Sequence, residues 1–121
     1  MSSRSLVIKV TAGRDDAERC NQALTVAAAA AASGVPVSLW LTGEAAWFAL
    51  PGRGDDVALP HAVPLGDLLA GVLAAGTVTL CTQCAARRQI TEADVLEGVR
   101  IAGATTFLAE VLADDAQALV Y

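Results

Sequence analysis

Cys81-Thr82-Gln83-Cys84 places two thiols three positions apart, and it is the only concentrated chemistry in this chain. A thiol attacks only as its thiolate, and its pKa falls at a helix N-terminus, beside arginine or within a Cys-x-x-Cys spacing. Thr77-Val78-Thr79-Leu80-Cys81 reads as a strand and Cys84 to Arg88 as a helical turn. The pair therefore stands where a strand gives way to a helix. Free backbone N–H groups at such a helix start favour negative charge, and Arg87 and Arg88 lie within one turn of Cys84. On this local reasoning Cys84 is the more acidic thiol. Cys81, at the strand end, is close enough to form a disulfide with Cys84 or to share a sulfur atom with it. The arrangement offers a nucleophilic thiol beside a resolving one.

Competing readings are weaker. Cysteine is among the most buried residue types, so both thiols could be inert core. A zinc site needs four ligands, normally from two such pairs, and only Cys20 and His61 remain to complete it. No metal is therefore expected. His61 falls in a long polar loop and reads as solvated; Cys20 falls two turns into an apolar helix and reads as core. Gly13-Arg14-Asp15 faintly suggests a phosphate loop, but neither Gly-x-Gly-x-x-Gly nor Gly-Lys-Ser/Thr is present. One histidine cannot assemble a Ser/His/Asp set.

The elements that must position the thiols follow from periodicity. Leu6-Val7-Ile8-Lys9-Val10 predicts a buried first strand. Asp15 with Glu18 reads as a capping box opening a long helix through Leu24, Val26 and the alanines 27–32. Gly34 and Pro36 end it. Val37 to Leu41 is a second strand closing on Thr42-Gly43, followed by a short helix from Glu44 to about Leu50. The stretch 51–63 lacks periodicity and reads as the one long loop. Pro64 opens a helix with Leu65, Leu68, Leu69, Val72 and Leu73 on one face, ended by Gly76. After the third strand, Thr91 to Asp94 starts another helix, and Val99 to Ala102 forms a fourth strand. Thr105 or Thr106 caps a helix through Leu112, and Gln117 to Tyr121 is the last strand.

Strands alternating with helices predict a three-layer α/β/α, Rossmann-like fold with a mainly parallel five-stranded sheet, covered on both faces. Residues 1–121 read as a single domain. In such sheets ligands bind beyond the carboxyl ends of the strands. Gly13, Thr42 with Gly43, Cys81 to Cys84, and Gly103 all fall there, and only the third segment carries reactive side chains.

Composition narrows the partners. Eight basic residues against thirteen acidic ones give a net charge of −5. Polyphosphate backbones are bound by clustered Lys and Arg, so neither nucleic acid nor an anionic membrane surface is expected. The most apolar stretch, 23–32, is far short of the roughly 20 residues that cross a bilayer. No apolar leader region follows Met1, so a cytoplasmic location and reduced thiols are expected. A hydrophobic content of 55% exceeds what so small a domain can bury, which predicts a homo-oligomer.

Several segments together carry a family resemblance. Val78 to Cys84, then Arg88, Ile90 and Leu96-Glu97-Gly98-Val99, are similar to the DsrE/DsrF-like family of small sulfur-relay proteins, the TusD and YchN types included. Thr11-Ala12-Gly13, the alanine-rich helix and Leu39-Trp40-Leu41-Thr42-Gly43 extend the likeness over most of the chain. The resemblance implies a Rossmann-like sheet, homo-trimers or homo-hexamers, no organic cofactor, and a cysteine that takes sulfur as a persulfide from a donor protein and passes it to an acceptor. Aligned on Arg87-Arg88, the sulfur-accepting position of the TusD type is Cys81, while the YchN type has a cysteine matching each of Cys81 and Cys84. The choice between them stays open, and a dithiol redox protein or a non-catalytic oligomeric binding protein are the alternatives. Relatives usually carry glycine where Gln89 stands, which predicts local strain if that position needs a positive φ.

Overall fold

A computed structural model describes residues 4–121; Met1, Ser2 and Ser3, part of the opening segment read above for a leader, lie outside them. The β-branched runs form β1 (Ser5–Val10), β2 (Val37–Leu41), β3 (Thr77–Cys81), β4 (Val99–Ala102) and β5 (Ala116–Val120). All neighbouring strands pair in parallel, in the order β4-β3-β2-β1-β5. Helices α1 (Ala17–Ala32), α2 (Leu65–Ala75), α3 (Thr82–Arg87) and α4 (Ala104–Val111) alternate with them. The α/β class and the parallel five-stranded sheet are as the sequence predicts.

Pleating sends alternate residues of each strand to opposite faces. Ile8, Val10, Leu39, Leu41, Val78 and Leu80 all turn to one face, where they meet Cys20, Ala23, Leu24 and Ala27 of α1 and Leu65, Leu68, Leu69 and Val72 of α2. Burying each large aliphatic side chain stabilises by about 1.5–3 kcal/mol, so this face holds the fold. The alanine run has its reason here: Ala23 and Ala27 are fully buried, and a short side chain lets α1 lie close to both the sheet and α2.

The other face differs in kind. Its residues include Lys9 and the buried Val7 on β1, Ser38 and Trp40 on β2, Thr79 on β3 and Arg100 on β4, and the register places Lys9, Trp40, Thr79 and Arg100 in one row across four strands. Only α4 covers it. No residue of α4 is buried, and Leu108 and Leu112 remain exposed at 55% and 70%. The helix is tied down by polar contacts instead. Glu110 accepts hydrogen bonds from Ser38 Oγ (2.6 Å), Trp40 Nε1 (3.0 Å) and Arg100. The Phe107 ring meets Trp40 edge-on at 5.3 Å between centroids. The sheet is thus covered on both faces, thickly on one and thinly on the other.

Local corrections have simple causes. The N-cap of α1 is Asp16, which accepts from Arg19 N–H, while Asp15 accepts from Gly13 N–H (2.8 Å) and closes the turn before it. Residues 91–94 form a turn, not a helix: Asp94 Oδ2 accepts from both the N–H and the hydroxyl of Thr91, competing with helical bonding. Gly103, not Thr105 or Thr106, caps α4. The short helix after β2 is a 3-10 segment, Gly43–Ala49, and a second such turn, Arg53–Asp56, structures part of the long loop. Gly34 takes the left-handed conformation foreseen for it (φ 81°).

Candidate functional site

The ends of β1, β2 and β3 are drawn together by glycine. A Cβ on Gly13 would lie 2.6 Å from the Glu44 carbonyl oxygen, and one on Gly43 2.5 Å from that of Thr11. Both contacts are too short for any side chain, so the turns after β1 and β2 interlock only as glycines. Gly43 also needs its positive φ of 53°. Thr42 is buried and its hydroxyl donates to the Val10 carbonyl (2.9 Å), which fixes the same junction. This knot sets Gly43 N–H 3.2 Å from the Cys84 sulfur, to which it donates. Gly13, Thr42 and Gly43 therefore shape the floor beneath the cysteine pair and bring no reactive group of their own.

The two cysteines have different surroundings. Cys81 is the last residue of β3 and the N-cap of α3, and it is half-buried. It shares the pleat phase of Thr79, so it belongs to the polar face, one register row beyond Lys9, Trp40, Thr79 and Arg100. Cys84 is buried within α3, against the apolar face with Ala85 and Ile90. Both thiols are free. β3 runs directly into α3 on the apolar side, whereas β4 leads through Gly103 to α4 on the polar side. Cys81 stands at that parting, with Gly103 against Thr82, which is where parallel sheets open a crevice.

Burial pushes the Cys81 thiol up, but the N–H groups of Cys84 and Gln83, the Cys84 thiol and the Lys9 ammonium outweigh it and hold the thiol below its ordinary value. The lowered pKa thus falls on Cys81, where local reasoning had leaned to Cys84. The reason is position: the free N–H groups of a first helical turn point back to the capping residue, and that residue is Cys81. Cys20 is fully buried, and burial, with Asp15 adding to it, raises its thiol to about 12. It is core.

The two arginines near Cys84 have partners of their own. Arg88 donates to the Cys84 carbonyl (3.2 Å) and to the Glu44 carboxylate (2.8 Å), and stacks over Trp47 at 5.8 Å. It braces α3 against the 3-10 segment. Arg87 is exposed and donates to Gln83 (3.3 Å). The cation that the polar face brings to Cys81 is Lys9, which sequence reasoning missed. Its one signal was a charge inside an otherwise apolar strand, Leu6-Val7-Ile8-Lys9-Val10. Gln89 adopts φ 57°, so the strain predicted from its replacing a glycine is present. His61 is exposed in the loop, also at positive φ (61°). Among the described residues, no group of three or more His, Cys, Asp or Glu side chains could hold a metal ion, and no helix is long and apolar enough to cross a membrane.

The profile of the DsrE/DsrF-like family matches residues 4–119, nearly the whole chain, from β1 into β5. The chain belongs to the DsrE/DsrF-like family. As a member it is similar to the uncharacterized protein MJ0760 of Methanocaldococcus jannaschii, at 35% identity over 104 residues. That match covers 85% of this chain but only 38% of the relative, so the chain spans well under half of that protein's length. Among solved structures the ychN protein from E. coli superposes with a TM-score of 0.80 at 21% identity, covering 98% of this chain and 99% of that one. MTH1491 from Methanobacterium thermoautotrophicum, a protein of unknown function, gives a TM-score of 0.66 at 9% identity over 99% of this chain and all of its own. These likenesses establish the fold of this family member.

Proposed function

We propose that this DsrE/DsrF-like chain is a sulfur-relay protein that carries a sulfur atom as a persulfide on Cys81. The observation that carries the reading is the state of Cys81: half-buried at the sheet's carboxyl edge, with its thiol held low by backbone N–H groups and by Lys9. The step needs no oxidant. The Cys81 thiolate attacks the outer sulfur of a donor protein's persulfide; a new S–S bond forms at Cys81, the donor's S–S bond breaks, and the donor leaves as thiolate. Passage to an acceptor thiolate repeats the exchange in reverse. The Cys84 sulfur, fixed by Gly43 N–H, forms the inner wall of the site. Exposed Leu108, Leu112 and Val120 favour assembly into a homo-trimer or homo-hexamer in which these apolar groups are covered.

Incubation with a persulfide donor tests the reading. The chain should gain the mass of one sulfur atom, located at Cys81 by fragmentation. Cys81→Ser should abolish the gain, and Cys84→Ser should retain it. Loading that survives Cys81→Ser unchanged would sink this assignment.

A second reading rests on the Cys84 thiol, which itself helps to lower Cys81. The two thiols would lose two protons and two electrons to a disulfide oxidant and close a Cys81–Cys84 bridge. Titration against a glutathione couple decides it: absence of a reversible bridge at any accessible potential removes the redox reading.

A further inference from the structure

The polar face holds a cation whose position nothing in the packing requires. Lys9 sits in the middle of β1, flanked in the strand by the buried Ile8 and Val10, and its own side chain crosses to the opposite face. There its ammonium lies 5.3 Å from the Phe107 ring centroid. Among the described residues no carboxylate pairs with it. A single lysine–ring contact is a weak interaction and does not prevent the ammonium from turning to a better partner.

The other charged groups around Cys81 are already engaged. Arg100 of β4 is paired with Glu110 of α4. Arg88, at the end of α3, is paired with Glu44 of the 3-10 segment. Arg87 of α3 is exposed and bonded to Gln83. β2 brings Ser38 and Trp40, and β5 brings no titratable side chain, with Tyr121 just beyond it. Among the described residues, Lys9 is thus the cation of this face that no carboxylate engages. Two strand spacings, roughly 10 Å, separate the backbones of β1 and β3. Cys81 stands one register row further along the same face than Lys9, so an extended lysine side chain and an outward sulfur must together cover that diagonal. In a persulfide the terminal sulfur stands about 2 Å beyond Sγ, further out on the same face.

We infer that Lys9 is the counter-ion of the sulfur at Cys81, thiolate and persulfide alike. The ammonium parks over Phe107 when the cysteine is protonated and turns to the sulfur when that is anionic. Lys9 acts through Cys81 and exchanges no proton or sulfur itself. Its role in sulfur transfer rests on the persulfide reading above; its pairing with the Cys81 thiolate does not.

The test is the pH dependence of Cys81 alkylation by iodoacetamide, with the modified residue located by fragment mass spectrometry. Lys9→Met should move the midpoint upward and slow alkylation at neutral pH by about three- to tenfold, a tenfold change corresponding to one pKa unit. Lys9→Arg should stay within about twofold of the wild type, since it keeps the charge. A Lys9→Met profile that superimposes on the wild type, at an unchanged melting temperature, overturns the inference. So does Lys9→Arg failing as fully as Lys9→Met while both melt normally. Should Lys9→Met not fold, the wild-type chain answers: added salt screens the ammonium and should raise the Cys81 midpoint, and a salt-insensitive midpoint overturns it. Sulfur loading is scored apart. A wild-type chain that takes no sulfur at Cys81 removes the carrier reading, while the alkylation profile still decides Lys9.

Discussion

The two faces of this sheet are built from alternate residues of the same strands, yet they do different work. On one, Ile8, Val10, Leu39, Leu41, Val78 and Leu80 meet two helices and exclude water. On the other, Lys9, Trp40, Thr79 and Arg100 lie in a row beneath a single short helix held by Glu110 and Phe107. The cysteines divide along the same line. Cys20 is buried in the apolar face with its thiol raised; Cys81 belongs to the polar face with its thiol held low; Cys84 is buried behind it. Apolar packing is concentrated on the face away from Cys81, whose thiol is held low on the thinly covered face.

The largest effect should appear in reactivity. With its thiol raised to about 12, Cys20 carries on the order of a thousandfold less thiolate than an ordinary cysteine at a given pH, and it is also fully buried. Alkylation of the native chain should label Cys81 and spare Cys20, with Cys20 appearing only in denaturant. Equal labelling of the two would erase the contrast between the faces.

Stability should respond next. Leu39→Ala empties a fully buried site on the apolar face and should cost about 2–5 kcal/mol in a denaturant melt. Glu110→Ala leaves the buried Trp40 indole N–H unpaired and should cost about 1–3 kcal/mol. A Glu110 variant as damaging as the Leu39 one would show that the polar face also carries the fold.

Acid should reach the polar face first. Burial raises the Glu110 carboxyl, but hydrogen bonds from Ser38, Trp40 and Arg100 and the Arg100 charge hold it below its ordinary value of 4.5. A depressed folded pKa means that its contribution is present above the unfolded value and is lost as pH falls through the folded one. Melting temperature should decline below about pH 4.5 in the wild type, with part of that decline absent in Glu110→Gln. For Cys20 the sign is opposite. Its raised pKa gives a contribution that is complete below its ordinary value of 9.0 and lost as pH rises toward about 12, and Cys20→Ala should flatten the alkaline limb. The smallest effect belongs to Gln89, whose positive φ should make Gln89→Gly stabilising by roughly 1 kcal/mol. An unchanged or lower melting temperature would show that the turn after α3 is unstrained.

Much of this was legible before any coordinates. Short β-branched runs separated by helix-period segments fixed the number of strands and their parallel sense, because both signals are local. Gly34, Pro36 and Gly76 marked boundaries for the same reason. Asp16 in place of Asp15, and a turn in place of a helix at Thr91, were missed because neighbouring carboxylates and hydroxyls offer the backbone rival partners of nearly equal energy. The strain at Gln89 was legible only through the family resemblance, whose members usually carry glycine there.

The amino-acid order alone determined the α/β class, the apolar stripe of each strand, and a thiol pair at a strand-to-helix junction. Which thiol is held below its ordinary value, and by which groups, it left to the folded chain. Arg87 and Arg88 are neighbours of Cys84 along the chain, but Arg88 is drawn to Glu44, which lies 44 positions away in sequence. Lys9 reaches the surroundings of Cys81, 72 positions distant by numbering, only because β2 lies between β1 and β3 in register. Pleating assigns each residue a face locally, whereas strand order decides which residues of different strands become neighbours on it, and strand order is a property of the whole sheet.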